Sequence, residues 1–430
     1  MDKLHRKHYQ VIVIGAGQSG LTTSYFLQKA NLKHIIFEKS VAFHSWKNER
    51  WDSFTLVTPN WQCQLPGASY DGSDPDGFMT GAQTIEWLER FAKSLNAPVR
   101  EGVEVTHVVR DNAGRYNVET SDGSYSADQI VVASGGYHVP IIPRMAERLP
   151  GKVQQLHSAQ YKNSRSLPAG NVLVVGSGQS GAQIAEDLHI EGRKVYLATG
   201  NAPRVARFYR GKDVVKWLDE MDYYKMNVDE HPLGKGVRQN SNHYVTGRDG
   251  GRDIDLRQFA AEGMELFGTM TEFDGQSLHF LPNLGKNLQK ADDTFNNINA
   301  RIDAWIDTQQ LETSEPSSAY APVWQVARER TELDLQAANI TSVIWCVGYL
   351  PGFDWLDAPV FNGRGHPQHA RGITQSPGLY FIGLPWLHTW GSGRFSGVKE
   401  DAQYLCEHID AYQTRCETAA NSPPLNAANG

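Results

Sequence analysis

The chain carries one hexapeptide pattern twice, as Gly15-Ala16-Gly17-Gln18-Ser19-Gly20 and as Gly176-Ser177-Gly178-Gln179-Ser180-Gly181, each directly after a β-branched apolar run. The runs, Val11 to Ile14 and Val172 to Val175, read as buried parallel strands. In a strand–turn–helix unit of this kind the first glycine makes the tight turn. The second lets the backbone approach a pyrophosphate, and the third brings helix and strand into contact. The phosphates then sit on the N-terminus of the following helix, where free amides and the helix dipole favour negative charge. One such pattern is a weak signal, but two in the same order predict an α/β fold with two dinucleotide sites. The residues expected at them are Gly15, Gly17, Gln18, Ser19 and Gly20, then Gly176, Gly178, Gln179, Ser180 and Gly181.

The two units differ where the second strand of each should end. Counting 23 residues from the first glycine lands on Glu38 after His34-Ile35-Ile36-Phe37, and on Thr199 after Val195-Tyr196-Leu197-Ala198. A carboxylate accepts hydrogen bonds from a ribose 2′-hydroxyl and repels a 2′-phosphate, so the first unit suits FAD or NAD. Thr199 carries no such repulsion, and Arg204, Arg207, Arg210 and Lys212 follow it. That cluster, with Arg204 foremost, is expected to neutralise the extra phosphate of NADPH.

With 430 residues the chain is long enough for two or three domains. A net charge of −7 and a pI near 6.1 argue against nucleic acid as a partner. The mean hydropathy is −0.47 and no apolar run reaches the length of a membrane span, so no membrane partner and a cytoplasmic location are expected. Met1 to Gln10 is polar and lacks the apolar stretch of a signal peptide. Cys63, Cys346, Cys406 and Cys416 are scattered without a CxxC spacing, which weighs against disulfide-reducing chemistry beside a flavin. His366 and His369 read as surface residues in a Gly/Pro-rich loop, and no metal site is expected.

Along the chain, Thr84 to Leu95 is helical in pattern. Val103 to Arg110 and Arg115 to Thr120 read as an antiparallel insert before a strand at Ile130 to Ala133. That strand and a second at Val343 to Cys346 both run into glycine turns, Gly135-Gly136 and Gly348, where the chain would cross between domains. From Arg204 to about Arg330 the sequence is polar and glycine-rich, as expected of a cap. Within it Leu284, Leu288, Ala291, Phe295, Ile298, Ile302 and Trp305 define one helix face, suited to domain packing or to a homodimer contact.

The duplicated glycine pattern, Gly348-Tyr349 at an interdomain strand end and Gly378-Leu379-Tyr380-Phe381-Ile382-Gly383 together resemble the class B flavin-dependent monooxygenases, and among them the bacterial CzcO-like branch. Arg50-Trp51-Asp52 and Cys63-Gln64-Leu65-Pro66-Gly67 are similar to that branch too. The resemblance implies an FAD domain interrupted by an NADPH domain: 1–150 and 335–415 for FAD, and 165–334 for NAD(P)H with a helical or cap insertion at about 204–310. The remaining 416–430 is expected to be a disordered tail. It implies FAD and NADPH, with NADH also accepted, and molecular oxygen and a small organic molecule as substrates. On that resemblance, hydride would pass from NADPH to the flavin N5, oxygen would add at C4a, and N-, S- or carbonyl-oxygenation would follow. The alternative is a reductase or dehydrogenase without productive oxygen transfer.

Asn60, near a Val57-Thr58 pair, and His157, in an interdomain fingerprint completed by Gly151 and Tyr161, become the catalytic candidates. Trp46, with Trp61, Trp386 and Trp390, is placed around the flavin ring. Gly348, Gly383 and Arg394 join the cofactor-binding set. Arg394 precedes a helix at Val398 to Ile409 whose dipole would face the flavin N1 and O2 edge. The family fingerprint spaces its histidine more closely than the five residues between Gly151 and His157, and Leu149 stands where it has phenylalanine.

Overall fold

A computed structural model describes residues 7–421 and contains two parallel-stranded cores. In the first sheet the strands run in the order Leu356–Asp357, Val105–Arg110, Tyr116–Thr120, Gly123–Val132, Lys7–Ile14, His34–Glu38 and Val99–Glu101. Val11 to Ile14 pairs in parallel with His34 to Phe37 on one side and with Gln129 to Val132 on the other. The long strand Gly123–Val132 serves two sheets' worth of neighbours: its first half pairs antiparallel with Tyr116–Thr120, its second half in parallel with Leu379–Phe381. The expected antiparallel insert is therefore present as a hairpin extension of the core.

The second sheet has five strands, all parallel, in the order Gln154–His157, Ile340–Trp345, Asn171–Val175, Val195–Ala198 and Glu265–Phe267. This corrects the expected boundaries. Ile340–Trp345 lies between two partners of the second sheet, so that unit extends beyond 334, and Gln154–His157 brings its start forward from 165. The reason is that a parallel strand has no neighbour in sequence and its sheet is chosen by packing. The expected insertion at 204–310 also mixes two parts. Glu265–Phe267 and the covering helix Leu284–Gln309 belong to the second core, whereas 204–253 is the true cap.

Helices Gln18–Lys29 and Gln179–Ile190 follow the two glycine patterns at equivalent positions and have equal lengths, 12 residues each. Gly81–Leu95 starts three residues earlier than expected because Thr80 and Gln83 form a reciprocal cap, in which the Gln83 amide donates to Thr80 Oγ1 and the Thr80 amide to Gln83 Oε1. In Leu284–Gln309 the residues Leu284, Leu288, Ala291, Phe295 and Ile302 are buried within the chain, with Ile298 and Trp305 packed beside them. Domain packing thus uses the face considered for a homodimer. The C-terminal helix runs from Val398 to Asn421, so 416–421 is helical and not the expected disordered tail; 422–430 lies outside the described residues.

Candidate active site

The two glycine patterns have the same internal geometry. Gly15 and Gly176 have φ of +107° and +103°, a region that favours glycine. A Cβ on Gly20 would lie 1.9 Å from Gly15 O, and one on Gly181 would lie 1.8 Å from Gly176 O, which is the close helix–strand approach the third glycine permits. Nothing lies within 4 Å of a Cβ built on Gly17 or Gly178. Both middle glycines therefore face open space at a helix N-terminus, as a pyrophosphate requires. Ser180 is exposed there, whereas Ser19 is buried against Gly383, where a Cβ would lie 2.4 Å from Ser19 Oγ.

Each pattern is locked to a different part of the chain. Gln18 Nε2 donates to Gly393 O at 3.1 Å, and Gln18 Oε1 accepts from Trp46 Nε1 at 3.0 Å. Trp46 in turn stacks on Phe395, with ring centroids 5.2 Å apart, and carries the Arg50 guanidinium 5.0 Å above its ring. Gln179 Nε2 donates instead to Val245 O of the cap at 2.7 Å. Arg394 lies over the Trp390 ring, donates to Trp390 O, and reaches Asn242 Oδ1 of the cap at 2.9 Å. Trp390 and Trp386 pack on cap residues Tyr224 and His231, and Trp61 lies under Lys216. Only Trp46 of the four tryptophans therefore touches a glycine-pattern residue among these contacts.

Glu38 ends its strand with both carboxylate oxygens engaged, Oε2 accepting from the Ala16 amide and Oε1 from the Ser40 amide, each at 2.9 Å. A carboxylate has about four acceptor sites, so two remain for ribose hydroxyls. Thr199 is different. It is 2% exposed, its hydroxyl donates to Phe267 O at 2.8 Å, and it points into the second core.

The basic cluster after Thr199 does not form a phosphate site in this geometry. Arg204 is 2% exposed, lies 3.4 Å from Asp255 and 3.2 Å from Asp292, and is sandwiched between the rings of Phe295 and Tyr320. Arg207 pairs with Asp213, Arg210 with Asp303 and Lys212 with Glu220. Three of these aspartates, Asp255, Asp292 and Asp303, lie beyond the cap, and a guanidinium taken from water requires a carboxylate partner. Sequence spacing shows the cations but not which anions fold onto them.

His157 is 1% exposed. Its Nε2 lies 3.2 Å from Gly348 O, and its Nδ1 accepts from the Ala159 amide at 3.3 Å, a pairing that specifies a neutral ring protonated on Nε2. Burial holds its pKa below the usual histidine value. The ring packs edge-on against Tyr349, 4.7 Å away. Gly348 (φ +93°) thus lies at the crossing between units, where Tyr349–Leu350 pairs with Val139–Pro140. Beside this crossing is a cavity of about 440 Å³ lined by His44, Asn48 and Glu49 of the first unit, Pro140 and Ile142 of the crossing, and His157, Gln160 and Lys162 of the second.

Asn60 is 4% exposed and its carboxamide is spent on backbone: Nδ2 donates to Asp74 O at 2.9 Å and Oδ1 accepts from the Met79 amide at 2.8 Å. It holds the 74–79 turn. Both nitrogens of His157 and both ends of the Asn60 carboxamide are thus engaged with backbone groups.

Sequence reasoning missed Asp187. Its Oδ1 accepts from Ser53 Oγ and from Arg248 at 2.8 Å, and its Oδ2 from Tyr161 OH at 2.7 Å, so one buried carboxylate joins the first unit, the second and the cap. The signal was available as an acidic pair, Glu186-Asp187, on a helix whose counterpart has Tyr25-Phe26. Close by, Asp52 N donates to Lys162 O at 2.8 Å and Lys162 Nζ reaches Arg50 O at 2.9 Å.

Residues 12–258 match the family described as pyridine nucleotide-disulphide oxidoreductase. An oxidoreductase of Geobacillus kaustophilus, named uncharacterized oxidoreductase CzcO-like, is 31% identical over 402 residues, which is 93% of this chain and 97% of that protein. The indole-3-pyruvate monooxygenase YUCCA6 of Arabidopsis thaliana is 28% identical over 48% of this chain and 53% of its own length. A flavin-containing monooxygenase from Stenotrophomonas maltophilia has the same fold, with a TM-score of 0.64 at 19% identity over 95% of this chain and 99% of that one. Among the described residues no helix is long and apolar enough to cross a membrane. The chain belongs to the pyridine nucleotide-disulphide oxidoreductase family, alongside the CzcO-like oxidoreductases.

Proposed function

We propose that the chain is an FAD-dependent monooxygenase that oxygenates a small organic substrate at the expense of a reduced pyridine nucleotide. The observation that carries this reading is the pair of open glycine cradles, at Gly17 and Gly178, each tied to a different segment. Glu38 has acceptor capacity left for the ribose of FAD. Gln18, Trp46 and the Gly383–Phe395 segment surround the first cradle, and the second takes the pyridine nucleotide. NADPH is what the family resemblance implies, with NADH accepted too. With Arg204, Arg207, Arg210 and Lys212 all paired to carboxylates, we assign none of them a 2′-phosphate contact.

When bound, the two cofactors supply transfer of an electron pair and activation of molecular oxygen. The chain's own residues bind, orient and exclude water. His157 holds the crossing through Gly348 O, Asn60 holds the turn beside Val57-Thr58, and the cap covers that segment by a hydrogen bond from Arg207 to Val57 O at 2.7 Å. Disulfide reduction, the other chemistry the family name suggests, is poorly served. All four cysteines are free, and burial pushes the Cys63 thiol up to about 12 and those of Cys346 and Cys406 higher still, away from the reactive thiolate.

The experiment is turnover under ¹⁸O₂ with an amine, a sulfide and a cyclic ketone, counting hydrogen peroxide released per nucleotide oxidised. Label in an organic product supports the monooxygenase. Peroxide equal to nucleotide consumed with every probe assigns the chain to the reductase class instead.

A further inference from the structure

The strand end at Thr199 is roofed by the first turn of the helix Leu284–Gln309. Asn287 Nδ2 lies 3.2 Å from both Thr199 O and Thr199 Oγ1, and Asn283 Oδ1 accepts from the Thr269 amide at 2.9 Å. Less than one turn earlier, the amides of Leu284 and Gly285 donate to the two oxygens of one carboxylate, Glu329 Oε2 at 3.0 Å and Oε1 at 2.9 Å. Glycine at 285 permits the approach, since a Cβ there would lie 3.3 Å from Glu329 Oε1. The neighbouring cation, Arg330, is directed elsewhere, to Glu265 at 2.7 Å and over the Phe267 ring. Lys286 and Arg328 also flank the carboxylate but are exposed, where water screens them.

In the first unit the carboxylate at the ribose edge is Glu38, from the strand itself. In the second unit that position is Thr199, turned inward, and a carboxylate from 130 residues further on caps the helix whose Asn287 covers Thr199. We propose that Glu329 is the coenzyme-selecting residue of the second unit, and that it makes the protein prefer NADH to NADPH. The inference rests on the reading that this unit holds the pyridine nucleotide. Glu329 occupies the amides of Leu284 and Gly285, which would otherwise attract a phosphate, on the same first turn from which Asn287 reaches Thr199. A 2′-phosphate adds roughly two negative charges at that edge. Like-charge repulsion at that edge, through partly solvated surroundings, is taken as about a tenfold penalty.

The test is anaerobic mixing of the FAD-loaded enzyme with NADH or NADPH, following flavin bleaching against nucleotide concentration, so that oxygen transfer plays no part. Wild-type enzyme is expected to favour NADH by roughly tenfold in limiting rate over Kd, and Glu329→Gln to lose about that factor through tighter NADPH binding. Calorimetry on wild type with ADP and 2′,5′-ADP gives the same comparison without a variant, with ADP expected to bind more tightly. A wild-type preference for NADPH together with tighter 2′,5′-ADP binding overturns the proposal, as does an unchanged nucleotide ratio in a folded Glu329→Gln. Bleaching by neither nucleotide removes the reading of the second unit and this proposal with it. A clear NADH preference without ¹⁸O transfer leaves the proposal standing and removes only the monooxygenase assignment.

Discussion

The two units share turn geometry, helix length and the Gln-Ser-Gly start of the helix, and they differ at the end of the second strand and in the middle of the helix. At the end of the second strand the first has Glu38, buried with each carboxylate oxygen accepting from one backbone amide, and the second has Thr199, folded inward. In the first helix Tyr25 and Phe26 stand where the second has Glu186 and Asp187, so one helix packs through rings and the other carries the charged junction between units. The glycines set where a backbone may go. The residues around them set which nucleotide arrives and how the two units are held together.

The largest effect should come from the third glycines. Gly20→Ala and Gly181→Ala place a methyl within 1.9 Å and 1.8 Å of a carbonyl oxygen of the preceding turn. Each is expected to cost about 3 kcal/mol or more of stability. Gly20→Ala should purify without flavin, and Gly181→Ala should stay yellow yet not bleach with nucleotide; absorbance of the purified proteins checks both. Gly17→Ala and Gly178→Ala, with open space around the added carbon, should leave stability within about 0.5 kcal/mol while weakening the same two ligands. Unequal stability losses at Gly20 and Gly181 would break the equivalence of the units, and equal losses at all four positions would remove the distinction between middle and third glycines.

Next is the junction. Asp187→Ala leaves the Tyr161 hydroxyl and Arg248 without their partner in a buried setting, and about 3 kcal/mol should be lost in urea unfolding. Asp187→Asn, which keeps acceptor geometry on one oxygen, should lose less. At the ribose edge, Glu38→Ala should raise the FAD dissociation constant by roughly tenfold to a hundredfold, the effect of removing a charged hydrogen-bond acceptor. Flavin affinity unchanged in that variant would remove the first unit's assignment to FAD.

The smallest effect is in pH dependence. Glu186 is 2% exposed and burial raises its carboxyl to about 7, from an ordinary 4.5. Arg252 lies 3.2 Å away but outside hydrogen-bonding geometry, so it offsets burial only in part. Because the folded state holds this proton more tightly than the unfolded chain, Glu186 costs nothing below pH 4.5 and destabilises progressively as pH rises through 7. Glu186→Gln should therefore gain on wild type between pH 5 and pH 8, by about 2 kcal/mol in denaturant midpoints converted with a common slope. A gap between the two proteins that does not change with pH would remove this carboxyl from the junction's energetics.

Much of the architecture was legible because its signals are local. The runs Val11 to Ile14 and Val172 to Val175 could only be buried strands, and the glycines that follow could only be turns. The apolar face of Leu284 to Trp305 announced its helix, and the scattered cysteines weighed against a redox pair. The boundary near 334 was misplaced because Ile340–Trp345 joins its sheet through partners far away in sequence. Arg204 belongs to a charge run that looks the same in sequence whether water or aspartate surrounds it.

The sequence by itself determined that this chain builds two phosphate-approaching turns, since only glycine tolerates the positive φ and the carbonyl contact found at Gly15, Gly20, Gly176 and Gly181. Only the tertiary structure decided what each turn answers to. Burial and charge pairing are properties of neighbours brought together over long stretches of chain. They turned Thr199 and Arg204 inward, spent Asn60 and His157 on backbone, brought Glu329 onto the amides of Leu284 and Gly285, and made Asp187 the carboxylate that joins both units and the cap.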